Sequence, residues 1–147
     1  MRIRTRRLVL TCLLLLSFVS VLNAADDTRF TLKDGVIYDS ELGLQWVPAP
    51  DREMNYYQAE EYVRKLSLAG GGWRLPTRWE LANLYNRSSP GGADPKFNVS
   101  ERWVWTSELD GPYLAWFFNF GYGTAGRGYR DSSYYYTPGV LAVRSRR

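Results

Sequence analysis

Ten of the 24 residues from Tyr113 to Tyr136 are aromatic, and Gly, Ser, Arg and Asp are interleaved with them. Within this stretch Asn119, Tyr122, Arg127, Tyr129, Arg130, Asp131, Tyr134 and Tyr136 carry side chains suited to contact with another molecule. Tyrosine supplies a large rigid ring tipped by a hydroxyl, Gly and Ser let the backbone adapt, and Arg presents forked donors. Tyrosine rings stack on the C–H faces of sugars, and Asn119 or Asp131 can accept hydrogen bonds from hydroxyls. The chemistry indicated is recognition, with the loop Gly121–Tyr136 as the ligand-binding segment. The same residues fit a second reading, in which the tyrosines cover a wide twisted sheet and Tyr134–Tyr136 forms a further strand. In YLAWFFNF the alternation predicts Leu114, Trp116, Phe118 and Phe120 on a core face, with Phe117 and Asn119 on the other.

Catalytic chemistry is poorly supplied. The chain has no His, and Cys12 is its only Cys. A Ser or Cys nucleophile would lack the imidazole that activates it, and soft or borderline metals would lack their usual ligands. Carboxylates such as Asp94, Asp110 or Asp131 would suit only a hard cation such as calcium. None of the 15 acidic residues sits in a recognisable motif. Glu60 and Glu61 fall on the wet face of a helix, and Glu80 is explained by helix capping. GYGTAGRG has glycines but no following Lys-Ser/Thr, so it is no phosphate loop. The expectation is a non-enzyme with no catalytic residue, no cofactor and no metal.

The elements that must position the aromatic stretch begin after residue 24. MRIRTRR, the apolar run Leu8–Leu22 and the small residues before Asp26 follow the order of a secretory signal peptide, with cleavage after Ala24; an uncleaved anchor is the alternative. The remaining residues, 25–147, form one expected domain, periplasmic or extracellular and free of the membrane once the signal is gone. Arg2, Arg4, Arg6 and Arg7 leave with the signal, so 15 basic residues then face 15 acidic ones. The basic pI belongs to the targeting segment and is no argument for nucleic acid. The tail Arg144–Arg147 reads as a solvated end.

RFTLKDGVIYDSELGLQWV reads as short strands and turns, with Asp34-Gly35 a turn signal. NYYQAEEYVRKL reads as a helix capped by Asn55 and Gln58, with Ala59, Tyr62 or Val63, and Leu66 on its apolar face. Gly70–Gly72 end it, and Trp73-Arg74-Leu75-Pro76 is extended because Leu75 precedes a proline. Thr77 and Glu80 cap a second helix with Leu81, Leu84 and Tyr85 inward. Trp73 and Leu75 point inward, and Arg74 between them has the structural task of holding carbonyls or a carboxylate. RWVWTSE, YLAWFFNF and GVLAVRS read as three further strands. Hairpin, two helices and a run of strands make an α+β fold, with two helices packed on a twisted antiparallel sheet with long loops.

DSELGLQWV, NYYQAEEYVRKLSLAGGGWRLPTRWELANLY, VWTSE, AWFFNF and VLAVR together resemble the C-terminal domain family of Lcl-type collagen-like adhesins, a bacterial domain of unknown function. WRLPT…E is also similar to the matching run of formylglycine-generating sulfatase-modifying enzymes. The resemblance implies a C-type-lectin-like fold and a surface-adhesion role, with a glycan or an envelope or extracellular protein as partner and possible homo-oligomers, since relatives sit at the ends of trimeric adhesins. Many members carry cysteines at places that correspond here to Val63 or its neighbour and to Ala142. The modifying enzymes use copper-binding cysteines, which residues 25–147 lack, so their activity does not carry over. The Glu-Pro-Asn and Gln-Pro-Asp tripeptides of calcium-dependent lectins are absent too. An envelope accessory protein with no small ligand is the competing expectation.

Overall fold

The computed structural model describes residues 29–99, 103–131 and 138–146. The signal-peptide expectation for residues 1–24, and the expectations for Tyr134 and Tyr136, lie outside these residues.

Strands β1 (Phe30–Lys33), β2 (Val36–Asp39) and β3 (Leu44–Val47) form a meander. Asp34 and Gly35 both take positive φ, as the two-residue Asp-Gly hairpin loop requires. At the next turn Asp39 accepts from the amides of Glu41 and Leu42, and Arg29 clamps its carboxylate through two hydrogen bonds of 3.0 and 2.9 Å. Helix α1 (Tyr56–Lys65) and helix α2 (Arg78–Leu84) each start with a complete capping box, Asn55 with Gln58 and Thr77 with Glu80. Strands β4 (Trp103–Asp110), β5 (Leu114–Asn119) and β6 (Thr124–Tyr129) form a second meander, and β7 (Ala142–Ser145) returns to pair with β3.

The fold is α+β, as expected, with its strands arranged in two antiparallel sheets of orders β1-β2-β3-β7 and β4-β5-β6. Alternate residues of the central strands feed two apolar clusters. Ile37, Trp46, Val104, Phe118 and Val143 meet Leu81 and Leu84 of α2 in one. Val36, Val47, Trp105, Phe117 and Ala142 meet Tyr56, Ala59 and Val63 of α1 in the other. The strands are thus buried on both faces where the helices cover them.

Three expectations are corrected. First, the segment read as a loop from Gly121 contains β6, which pairs with β5 over its whole length. Its glycines serve the strand. A Cβ on Gly126 would stand 2.6 Å from the Phe117 ring, which itself stacks on Trp103 at 4.5 Å. Second, Phe117 is core while Trp116 and Leu114 are only half-buried: the Phe117 ring stacks on Trp103 and meets the edge of Trp105, whereas Trp116 has the guanidiniums of Arg78 and Arg127 beside it. Third, Arg144 is no solvated tail residue. It is buried, donates to Gln45 Oε1 at 2.7 Å and to the carbonyls of Ala69 and Gly71, and lies over the Trp73 ring at 4.2 Å. The charge is tolerated inside because its N–H edge is hydrogen-bonded to three acceptors and one face lies on the Trp73 ring.

Candidate functional site

The Trp73–Glu80 corner is a scaffold. Arg74 pairs through backbone bonds with Val143, and its guanidinium grips Glu80 at 2.8 and 2.7 Å while also donating to Leu75 O. Burial pushes Glu80 up, but the bonds from Arg74 and Thr77 outweigh it and hold the carboxyl below its usual value. Trp73 and Leu75 are buried, the indole donating to Leu68 O, and Pro76 is buried beside them. Together these residues form the corner at which α2 begins.

That starting point matters because Arg78, the first residue of α2, reaches across to β5. Its guanidinium carbon sits 4.1 Å from the centre of the Trp116 ring. Arg127, the cross-strand partner of Trp116, stands 5.3 Å from the same ring. Each guanidinium is matched by a carboxylate from β4. Glu108 accepts from Arg78 Nε at 3.0 Å and from its backbone amide at 2.7 Å, and Asp110 accepts from Arg127 at 2.7 Å. An irregularity in β4 between Trp105 and Leu109 lets Glu108 turn back to the start of α2. Burial pushes the Glu108 carboxyl up, yet the hydrogen bonds and charge of Arg78 win and hold it below its ordinary value. Leu114 lies opposite both Asp110 and Tyr129 in the register, so Leu114, Trp116, Arg127 and Tyr129 share one open side of the sheet. Tyr129 is 64% exposed and Tyr113, in the β4–β5 turn, is 73% exposed.

The structure divides the residues singled out in the sequence. Arg127 and Tyr129 join this platform. Arg130 faces the other way: its guanidinium lies 5.0 Å from the Tyr56 ring and 4.6 Å from the Tyr57 ring, with Glu60 at 3.9 Å. Its carbonyl accepts from Tyr56 N, so it staples the end of β6 to the start of α1. Burial, then the charge and hydrogen bond of Glu60, raise the Tyr56 hydroxyl to about 12, against a smaller lowering by Arg130. Asp131 is exposed beyond it. Asn119 is buried, and its Oδ1 accepts from the amides of Gly121 and Tyr122, building the β5–β6 turn. Tyr122 projects from that turn, 80% exposed, at the opposite end of β6 from Tyr129. The two rings are separated by the strand's length, about 20 Å at the usual rise per residue.

Sequence reasoning missed Trp116, Arg78, Glu108 and Asp110 as a unit. The turn at Gly111–Tyr113 was the available signal, since closing a hairpin there sets the two acids of SELD opposite the aromatic strand. Among the described residues no three acidic side chains gather as a metal site would need, and no helix is long and apolar enough to cross a membrane. A search of curated proteins gives no match to this chain. The model of the Lcl C-terminal domain, however, matches residues 35–140, a span that runs from the first hairpin through the corner and the platform. The chain therefore belongs to the Lcl C-terminal domain family.

Proposed function

We propose that this chain is an exported, non-catalytic recognition module that binds a glycan or a protein partner at the cell surface, and that the Trp116 platform is its contact site. The observation that carries the reading is the open sheet side on which Trp116, Arg127 and Tyr129 converge under two ordered guanidinium–carboxylate pairs. Aromatic and arginine side chains held rigidly at a surface are the groups that dominate binding energies. A rigid scaffold under them lowers the entropy lost on binding. Membership of the Lcl C-terminal domain family supports a surface role. The lack of catalysis is supported by the platform's own carboxylates, since both are committed to arginines and Glu108 is held ionised. The C-type-lectin-like superfold belongs to the same proposal, and the α+β architecture is compatible with it.

The test is a glycan array and an envelope-protein pull-down with the purified protein, wild type against Tyr129→Ala and Arg127→Ala. Specific capture by wild type, weakened at least about tenfold by either exposed-site variant without loss of fold, is the expected result, equivalent to about 1.4 kcal/mol. Capture unaffected by both variants would remove the platform from the reading. An accessory protein with a fixed partner is the second reading, favoured by the further exposed rings of Trp79, Tyr57 and Tyr122. It predicts one co-purifying protein and an empty array.

A further inference from the structure

The platform's charges are balanced one to one, and this restricts what can lie on it. Arg127 gives 2.7 Å to Asp110, and Arg78 gives 3.0 Å to Glu108. Neither of the two cations is left without its anion, and each pair is partly open to solvent, with Arg127 54% and Asp110 38% exposed. A guanidinium has five N–H donors and a carboxylate about four acceptor sites, so both partners keep hydrogen-bonding capacity after pairing with each other. The two ion pairs around Trp116 therefore offer donors and acceptors in fixed positions beside the exposed Tyr129 ring, and their own four charges cancel. We propose that the platform takes an uncharged saccharide, a hexose or N-acetylhexosamine unit with free hydroxyls, rather than a sulfated or uronate polysaccharide; this rests on the recognition reading above.

The match is chemical. A sugar hydroxyl donates and accepts at once, so two adjacent hydroxyls can span an Arg N–H and the neighbouring carboxylate oxygen. The C–H face of a pyranose suits the exposed Tyr129 ring and the Leu114 edge beside it. A sulfate or carboxylate on the ligand would compete with Asp110 and Glu108 for the same guanidiniums, and would be set against two fixed anions. Freeing a guanidinium from its carboxylate should therefore open the platform to acidic sugars.

The experiment titrates the wild-type protein with neutral hexasaccharides of glucose, mannose, galactose and N-acetylglucosamine, and with an alginate hexasaccharide and dextran sulfate as acidic probes. Each is measured by NMR at low salt and again at about 0.5 M, where the Debye length falls to about 4 Å. The expected result is binding of at least one neutral probe that changes less than about twofold with salt and weakens about tenfold or more in Tyr129→Ala. Asp110→Asn, which leaves Arg127 unpaired at a half-exposed position, should gain about fivefold or more for the acidic probes at low salt. Tight, salt-sensitive binding of alginate or dextran sulfate to wild type would overturn the inference and leave the recognition reading standing. Binding of no saccharide would overturn it as well. The recognition reading itself would fall only if the pull-down were also empty.

Discussion

Removing the Arg74 guanidinium should reveal how much the corner contributes. In Arg74→Met the aliphatic stem is kept, but Glu80 loses two hydrogen bonds of 2.8 and 2.7 Å and is left with Thr77 alone as its donor. The Glu80 side chain is only 9% exposed, whereas that of Arg74 is 45% exposed. Breaking a fully buried pair costs about 3–5 kcal/mol and breaking a surface pair about 0–1 kcal/mol. Solvent screening of the exposed arginine discounts the first figure, so a loss of about 2 kcal/mol is expected near neutral pH. For a domain of this size that is roughly 6–10 °C in Tm. The sign of the pH dependence follows from Glu80. Its carboxyl is held below the ordinary 4.5 in the folded protein, with burial opposing and Arg74 prevailing. The stabilisation is therefore fully present above about 4.5 and is lost as pH falls through the lowered folded value. In Arg74→Met burial acts with less opposition, so the gap between wild type and variant should be widest near neutral pH and should close in acid. Urea unfolding at a series of pH values measures this. A gap below about 0.5 kcal/mol near neutrality, or one that does not shrink in acid, would refute the reasoning, because exposed pairs alone account for so little.

Two further outcomes follow from the packing of β6 and of Tyr56. Gly126→Ala should cost about 1–3 kcal/mol by overpacking, since its Cβ would sit 2.6 Å from a Phe117 ring that Trp103 prevents from moving aside. Gly128→Ala, whose nearest contacts would be 3.3 and 3.4 Å, should cost less than about 1 kcal/mol, helped by the lower entropy of the unfolded chain; equal losses in chemical denaturation would contradict this account of β6. In a spectrophotometric titration the component missing from Tyr56→Phe should be centred near 12. Because that folded value is raised from 10.0, its stabilisation is complete below about 10 and disappears as pH rises towards 12; a Tyr56 component titrating with the exposed tyrosines would count against the burial argument.

What could be read from the chain beforehand divides by range. The capping boxes at Asn55–Gln58 and Thr77–Glu80 are legible because both partners lie within one helical turn. The Asp34-Gly35 hairpin is legible for the same reason. Trp116 was not, since alternation in YLAWFFNF reports which residues share a face and says nothing about what covers that face. Trp103 and Trp105 of β4 close over Phe117, while the Trp116 ring meets the Arg78 guanidinium. Glycine-rich β6 looked like loop because its packing reason, the Phe117 ring, belongs to another strand. Arg144 looked like a free tail because its partners Gln45, Gly71 and Ala69 lie 99, 73 and 75 positions away in sequence. The candidate site suffered most, as it depends on the register of three strands and one helix start together.

The return of the chain through Pro138–Arg146 has a consequence for how the protein opens. Within nine residues it bonds to Met54 ahead of α1, to Trp103 and Trp105 of one sheet, to Arg74 of the corner, and to β3 and Gly43 of the other sheet. Peeling it away would strip all of these at once, so no half of the molecule retains a finished edge. Amide exchange of the most protected sites in both sheets should then report a single opening event, with subglobal openings confined to the hairpin tips. Because these closures span up to 103 positions, from Gly43 to Arg146, the molecule should pass its folding barrier late and slowly, and once over it should resist proteases as an undivided whole.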